Sequence, residues 1–130
     1  MILNLTQHAA TAEQIAADVA DLTQGDAEYI RAALTAESLE DLSEDAKLGT
    51  PEDRAAIIAD RAREIADQTG ATHAMIGGAP WLMSALERAL AERGIKHLYA
   101  FSRRVVIETA QPDGTVKKTA LFKHEGFVEL

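Results

Sequence analysis

The chain contains no cysteine and only three prolines, and aromatic residues make up 5% of its 130 residues. Without cysteine it cannot form a disulfide scaffold, a zinc–thiolate site, an iron–sulfur cluster or a thiol nucleophile. No apolar run approaches the roughly 20 residues that a membrane-spanning helix needs. The start at Met1 also lacks the basic residues and apolar run of a signal peptide. We therefore expect a cytoplasmic protein with no membrane contact.

The residues that are present are typical of one soluble domain. The chain is 47% hydrophobic and 26% charged, and a chain of this length buries about two-thirds of its unfolded surface. Its core therefore needs no metal or disulfide to hold it. We predict a single domain over residues 1–130, in which the acidic, apolar-poor segment 35–53 is a mobile connection.

Charge is unevenly distributed along the chain. The net charge is −8, with 15 acidic and 5 basic side chains in residues 1–70, but six basic and two acidic side chains in residues 94–124. An acidic protein of this kind is not expected to coat DNA or RNA. The basic segment leaves room for one small anionic ligand. The acidic half alone would suit a module that binds a basic protein.

The order of the apolar patterns predicts the fold class. Thr11 opens a capping box, Thr50-Pro51 opens a second strong helix start, and Gly70 ends that helix. Strands are predicted over 2–5, 73–76 and 95–101, and helices over 12–22, 27–34, 50–68 and 80–93. Strands that alternate with helices form parallel sheets with right-handed crossovers. We therefore predict a three-layer, Rossmann-like α/β domain with a mostly parallel sheet.

The last 30 residues predict a C-terminal antiparallel β-hairpin. Pro112-Asp113-Gly114 is a typical turn sequence between two polar–apolar strands. If Gln111 pairs with Thr115, Glu108 lies opposite Lys118 and Ser102 lies opposite His124. A further strand is predicted over 127–130.

Ligands of open α/β sheets bind beyond the carboxyl ends of the parallel strands. The residues predicted at those ends are Thr6, Gln7 and His8, then Gly77, Gly78 and Ala79, then Ser102, Arg103 and Arg104. Amides at a helix start and guanidinium groups both favour phosphate. The glycines could instead form only a tight turn, and the arginines could only protect a sheet edge. Successive side chains of a strand point to opposite faces of the sheet, so Arg103 and Arg104 lie on opposite faces, and Arg104 shares its face with Ser102 and His124.

The four histidines do not have the spacing of metal ligands, and we predict neither a metal nor another cofactor. His124 opposite Ser102 resembles a nucleophile–base pair, but no acidic partner is evident in the sequence. Serine hydrolysis is therefore a weak alternative.

The C-terminal half resembles a known family. The features that carry the resemblance are the run from Leu86 to Arg104, then Glu108, the run from Asp113 to Lys117, and Phe122-Lys123-His124 followed by Phe127. This pattern, over residues 82–128, is similar to that of small stand-alone CRISPR-associated Rossmann-fold proteins. They are relatives of the CARF sensor domains, of the ring-nuclease type.

The resemblance implies recognition of a cyclic oligoadenylate second messenger in the groove of a homodimer, in antiviral defence. It also implies metal-independent ring opening, in which a ribose 2′-hydroxyl attacks the adjacent phosphate. The carried-over catalytic residues are Ser102, Arg104 and His124. The ligand-binding residues are Thr6, Gln7, His8, Gly77, Gly78, Ala79, Arg103 and Lys118. The alternatives are a sponge that holds the nucleotide intact, the acidic interaction module, and an unrelated enzyme that acts on a nucleotide or sugar phosphate.

Overall fold

The computed structural model describes residues 1–129; Leu130 and the side chains of Phe122 and Lys123 lie outside the described part. One five-stranded sheet has the order β2-β1-β3-β4-β5, in which the first four strands are parallel and β5 is antiparallel to β4. The strands are β1 (Ile2–Asn4), β2 (Val19–Ala20), β3 (His73–Ile76), β4 (Lys96–Ala110) and β5 (Val116–Glu129). The helices are α1 (Ala12–Ala16), α2 (Gln24–Leu34), α3 (Pro51–Thr69) and α4 (Pro80–Glu92).

The strand order confirms the Rossmann-like α/β prediction. From β1 the chain moves one way across the sheet to β2, then returns past β1 to β3 and continues to β4. Right-handed crossovers put helices from opposite directions of travel on opposite faces. The short helix α1 therefore covers one face of the sheet, and α2, α3 and α4 form the helical layer on the other face. The order reverses between β1 and β3, which is where doubly wound sheets bind their ligands.

The hydrophobic core lies between the sheet and the larger helical layer. Leu82, Leu86 and Leu90 form the buried stripe of α4, since each is 0% exposed. They pack with Ile58 of α3 and Ile76 of β3 in one cluster. Burial of each such side chain contributes about 1.5–3 kcal/mol, and the shared cluster fixes the sheet edge on which the candidate site lies.

The starts of α1 and α3 agree with the capping signals, α2 starts three residues before its predicted position, and the end of α1 differs from the prediction. Thr11 and Thr50 both form capping boxes, and Gly70 ends α3 in the left-handed conformation. The prediction of a helix over 12–22 was wrong after Ala16, because Asp18 takes a φ of 76° and stops it. The chain then turns into β2, where Val19 pairs with Ile2.

The hairpin is longer than predicted and has the predicted register. Gln111 N–H donates to the Thr115 carbonyl at 2.8 Å, and the ladder pairs Glu108 with Lys118 and Ser102 with His124. The hydroxyl and N–H of Thr115 donate to Asp113 and lower the pKa of its carboxyl. The predicted strand over 95–101 continues into the first strand of the hairpin as β4, and the second strand of the hairpin continues into the predicted final strand as β5. The pairing of β4 with β5 has one irregularity, between Phe101 and Ser102. Pairing of β4 with β3 ends at Tyr99, so residues 102–124 form an arm beyond the sheet.

The acidic connection is tied to the body at defined points. A short 3-10 helix covers Leu39–Leu42, and Asp41 accepts hydrogen bonds from the N–H groups of Glu37 and Ser38. Arg54 of α3 is 3% exposed and donates to the carbonyl of Asp41 at 3.1 Å. Mobility of this segment stays a prediction, and these contacts show where the segment is anchored.

A carboxylate of α4 joins two side chains of β4. The Tyr99 hydroxyl donates to Glu87 at 2.6 Å, and His97 Nε2 lies 3.7 Å from the other Glu87 oxygen. Burial, followed by the bond to Glu87 and its charge, raises the pKa of Tyr99.

The raised Tyr99 pKa, caused mostly by burial and further by Glu87, predicts a change in stability at alkaline pH. The folded state holds the phenol proton more tightly than the unfolded chain, so this contribution to stability is present below about pH 10 and lost as pH rises above it. In a Tyr29→Phe background, Tyr99 is the remaining tyrosine, and its absorbance titration should be displaced upward. Adding Glu87→Gln should bring the midpoint back towards the ordinary value. A normal midpoint with Glu87 intact would contradict the assignment.

Candidate functional site

A buried asparagine organises the end of β1. Asn4 is 5% exposed, and its amide donates to the His8 carbonyl and to Asp21 Oδ1, both at 2.8 Å. Its Oδ1 accepts from the Thr6 N–H at 3.0 Å and from the Thr6 hydroxyl at 2.7 Å. Asp21 Oδ1 also accepts the Ala10 N–H at 2.9 Å. These bonds fold the loop after β1 back over the strand and fix where Thr6 and His8 lie.

The first cavity at this edge lies between the ends of β1 and β2. It has a volume of about 140 Å³ and is lined by Thr6, His8, Asp21 and Arg31, together with Asn4, Ala9, Leu22 and Ala27. Arg31 forms no salt bridge with the described residues. One guanidinium, one carboxylate and one hydroxyl therefore face a space large enough for a small polar group.

The second cavity lies at the point where the strand order reverses. It measures about 200 Å³ and is lined by Gln7 from the β1 loop and Gly77, Gly78 and Ala79 from the β3 loop, with Leu34, Thr35, Ala36 and Trp81. Gly78 has a φ of 145°, a conformation that side chains disfavour. The N-cap of α4, Ala79, supplies no side-chain hydrogen bond. Pro80 has no N–H and the Leu82 N–H donates to the Ala79 carbonyl at 3.0 Å, so the start of α4 presents the Trp81 N–H, without a partner among the described residues, beside this cavity.

The third cavity lies at the base of the arm. It measures about 300 Å³ and is lined by Ser102 and His124 with Thr11, Ala12, Glu13 and Gln14. Glu13 accepts the backbone N–H of His124 at 3.0 Å. The His124 ring packs edge-on against Phe127 at 5.0 Å, and both ring nitrogens are covered without a hydrogen-bond partner in the described part of the chain. Ser102 and His124 are thus neighbours, as predicted, without a hydrogen bond between them.

The basic residues of the prediction lie on the arm. Arg103 forms an ion pair with Glu125 at 2.8 Å, and Lys118 lies 3.8 Å from Glu108. Arg104 is exposed on the face that carries Ser102 and His124, because paired residues of antiparallel strands point the same way.

One edge of the sheet carries the two predicted loops after β1 and β3, whereas Ser102, Arg103 and Arg104 lie within β4 at the base of the arm and not at the end of a strand as predicted. Thr6 and His8 line the first cavity, Gln7 and the glycine loop line the second, and Ser102 and His124 line the third. The structure does not gather them into one cavity. It brings together the two predicted loops that follow β1 and β3.

Sequence reasoning missed four residues of this edge: Asp21, Arg31, Glu13 and Trp81. Trp81 is 38% exposed, lines the second cavity and has the Arg54 guanidinium 6.0 Å from its ring centre. Its position in the first turn of a helix after a glycine loop was the available signal. Asp21 was predicted inside the helix over 12–22 and lies instead in the connection after β2, and Arg31 lies within α2.

The chain matches one known protein family, described as the Uncharacterized protein MJ1673 family, over residues 1–128. It belongs to this family. The MJ1673 match covers every loop of the candidate site. Neither the curated proteins nor the solved structures contain a significant match to the chain.

Two further properties of the described residues concern metals and membranes. Within residues 1–129, no three histidine or acidic side chains come close enough together to hold a metal ion. None of the helices described here combines the length and apolar character of a membrane span.

Proposed function

We propose that this MJ1673-family chain binds a cyclic oligoadenylate-type second messenger at the carboxyl edge of its sheet. The observation that carries the proposal is the cavity at the reversal of strand order, where Gln7, the uncapped start of α4 and Trp81 meet. The resemblance of residues 82–128 to CRISPR-associated Rossmann-fold proteins supplies the ligand class.

Each group at this cavity matches one part of a nucleotide. Backbone N–H groups at a helix start favour a phosphate oxygen. A half-exposed indole offers a face on which an adenine can stack, for about 1–3 kcal/mol per base. The Gln7 amide can both donate to and accept from a base edge. Thr6 and His8 in the adjoining cavity extend the polar surface for a second nucleotide of the ring.

The basic face of the arm would stabilise the remaining phosphates. Arg104 shares its face with Ser102 and His124, and it has no acidic partner among the described residues. In the ring-opening reaction, a ribose 2′-oxygen forms a bond to the adjacent phosphorus while the bond from phosphorus to O5′ breaks. The products of one cleavage are a 2′,3′-cyclic phosphate and a 5′-hydroxyl, and no water is consumed.

Protons must move in that reaction from the 2′-hydroxyl to O5′. In this proposal the His124 imidazole accepts the first proton and returns it to O5′, while Arg104 stabilises the charge on phosphorus. His124 turns towards the third cavity without breaking an existing side-chain hydrogen bond, because its ring nitrogens have no partner among the described residues. Ser102 positions the attacked linkage.

The decisive experiment is incubation with cyclic tri-, tetra- and hexa-adenylate in EDTA, followed by mass spectrometry of the free and bound fractions. Linear products would identify a ring nuclease. Intact ring recovered from the protein would identify a binding protein or sponge. The proposed function is wrong if every ring stays free and whole, and a linear tetra-adenylate of the same composition controls for non-specific phosphate binding.

Arg104→Ala should weaken binding of the ring by about 1.5–3 kcal/mol, the value of a charge-assisted hydrogen bond, or roughly 10- to 150-fold in Kd. The matched control is Lys117→Ala, which removes one positive charge from the opposite face of the arm. Isothermal titration calorimetry of both variants tests this assignment. Equal losses in the two variants would indicate non-specific attraction and contradict a site on the Arg104 face.

Trp81→Leu should reduce affinity about tenfold if adenine stacks on the indole. Tyr29→Leu is the control, because Tyr29 is a similarly exposed aromatic residue, 45% against 38%, that does not line this cavity. In the wild-type chain, whose single tryptophan is Trp81, ligand binding should change the indole fluorescence. Unchanged affinity in Trp81→Leu would remove the second cavity from the binding site.

A further inference from the structure

Over most of its length the arm pairs with no third strand among residues 1–129. Nine residue pairs, from Ser102 with His124 to Ala110 with Val116, lie beyond the last pairing of β4 with β3. At about 3.3 Å per residue this ribbon is roughly 30 Å long. An isolated two-stranded hairpin is marginally stable in water. A ribbon of this length therefore gains from a surface that packs against it.

Within residues 102–124, one face of the arm combines apolar and basic side chains without an acidic one, and Glu125 at its base pairs with Arg103. The register puts Val105, Ile107 and Leu121 on this face, with Lys117 towards the tip and Arg103 towards the base. Ile107 is 43% exposed and Leu121 is 48% exposed. We call this the Leu121 face.

The acidic connection has the complementary composition. Segment 35–53 contains seven acidic residues and one basic residue. Leu39 in its 3-10 helix is 87% exposed and lies next in sequence to Glu40. An exposed leucine surrounded by carboxylates on one surface therefore matches an exposed leucine bordered by lysine and arginine on the other.

We infer that the Leu121 face of the arm docks on the acidic segment 35–53 of a second copy of this chain. The arm, residues 102–124, holds five basic and two acidic residues, a net +3; because the whole chain carries −8, the rest carries −11. Pairing arm with arm would bring like charges together. Pairing the arm with the acidic segment of another copy brings opposite charges together.

The size of the contact is sufficient for a dimer. A ribbon about 30 Å long and two strands, or about 10 Å, wide covers about 300 Å². A two-fold arrangement uses two arms and two acidic surfaces, which together bury about 1,200 Å². That value lies at the lower limit of stable interfaces. A polynucleotide is the less suitable partner, because the rest of the chain would repel it.

The test is a charge exchange measured by sedimentation without nucleotide, so that its outcome is independent of the proposed ligand. The wild-type chain should form a dimer that dissociates as salt rises from 50 to 500 mM. Arg103→Glu combined with Lys117→Glu, both on the Leu121 face, should raise the dimer Kd at least tenfold, and so should Glu40→Lys combined with Glu44→Lys. An equimolar mixture of the two variants should form a heterodimer again, since both of its contacts then pair opposite charges at the exchanged positions.

The control is Arg88→Glu combined with Lys96→Glu, which makes the same change in charge on α4 and at the start of β4. This variant should dimerise like the wild type, and circular dichroism checks that every variant is folded. A monomeric wild type at high concentration would overturn the inference. So would a dimer that survives both exchanges, or an arm that binds polynucleotide in place of a second copy.

Discussion

Arg54→Ala should lower the free energy of unfolding by about 4 kcal/mol, because several buried carbonyl groups would then lose their hydrogen-bond donor. Arg54 donates to the carbonyls of Ala32 and Ala33 at 3.2 Å each and to that of Thr35 at 2.5 Å. A fourth bond reaches Asp41. The guanidinium thus caps the end of α2 and holds the acidic connection at the same time. Urea denaturation followed by circular dichroism measures the change.

A second arginine separates this contact from general loss of charge. Arg61 lies on the same helix with a side chain that is 35% exposed, and it pairs with Glu64 at 3.4 Å and Asp26 at 3.7 Å. Its replacement by alanine should cost less than about 1 kcal/mol, as exposed ion pairs usually do. Arg54→Lys should be intermediate, because an ammonium group cannot reach all four carbonyls. Similar losses for Arg54→Ala and Arg61→Ala would contradict the capping role.

The hairpin and most helix starts could be predicted because local chemistry decides them. Proline and glycine around Asp113 set the turn, and the turn sets the register of every pair up to Ser102 with His124. The Thr50 capping box and Pro51 likewise define the start of α3 within its own four residues. In these elements the partner of each group lies a few positions away in the sequence.

Contacts between distant residues could not be predicted in this way. Backbone carbonyls are chemically the same at every position, so the sequence does not indicate that Arg54 would bind those at the end of α2. The length of α1 was missed because Asp18 adopts a positive φ that few residues other than glycine favour. The strand β2 has two residues and is recognisable only by its pairing with β1.

The candidate site was predicted as a set of loops and not as a set of cavities. Parallel strands end at one edge, so Gln7 and Gly77 could be placed together from the strand order. Whether Ser102 joined them depended on the course of β4, which continues past the edge into the arm. The exposure of Trp81 depended on the space left by Leu34 and Thr35 of a different element.

Asn4 is the residue of the site with the largest expected effect on folding. Asn4→Leu keeps the approximate size and removes four hydrogen bonds, which leaves the Thr6 N–H and one oxygen of Asp21 each short of a partner. The free energy of unfolding should fall by about 3 kcal/mol at every pH between 4 and 8. The loop after β1 would lose its anchor, so ligand binding should fall in the same variant.

Asn4→Asp tests the same network by charge. It puts a carboxylate at a site that is 5% exposed, in place of an amide that now donates to Asp21 at 2.8 Å. Burial and the Asp21 charge both raise the pKa of the new carboxyl in the folded state above its unfolded value of about 3.9. The folded variant therefore binds its proton more tightly than the unfolded chain. Its stability relative to wild type should be greatest near pH 4 and should fall as pH rises towards 7. A difference that does not change with pH would mean that the new carboxylate reaches solvent, and the hydrogen bonds assigned to Asn4 would then not hold the β1 loop over the strand.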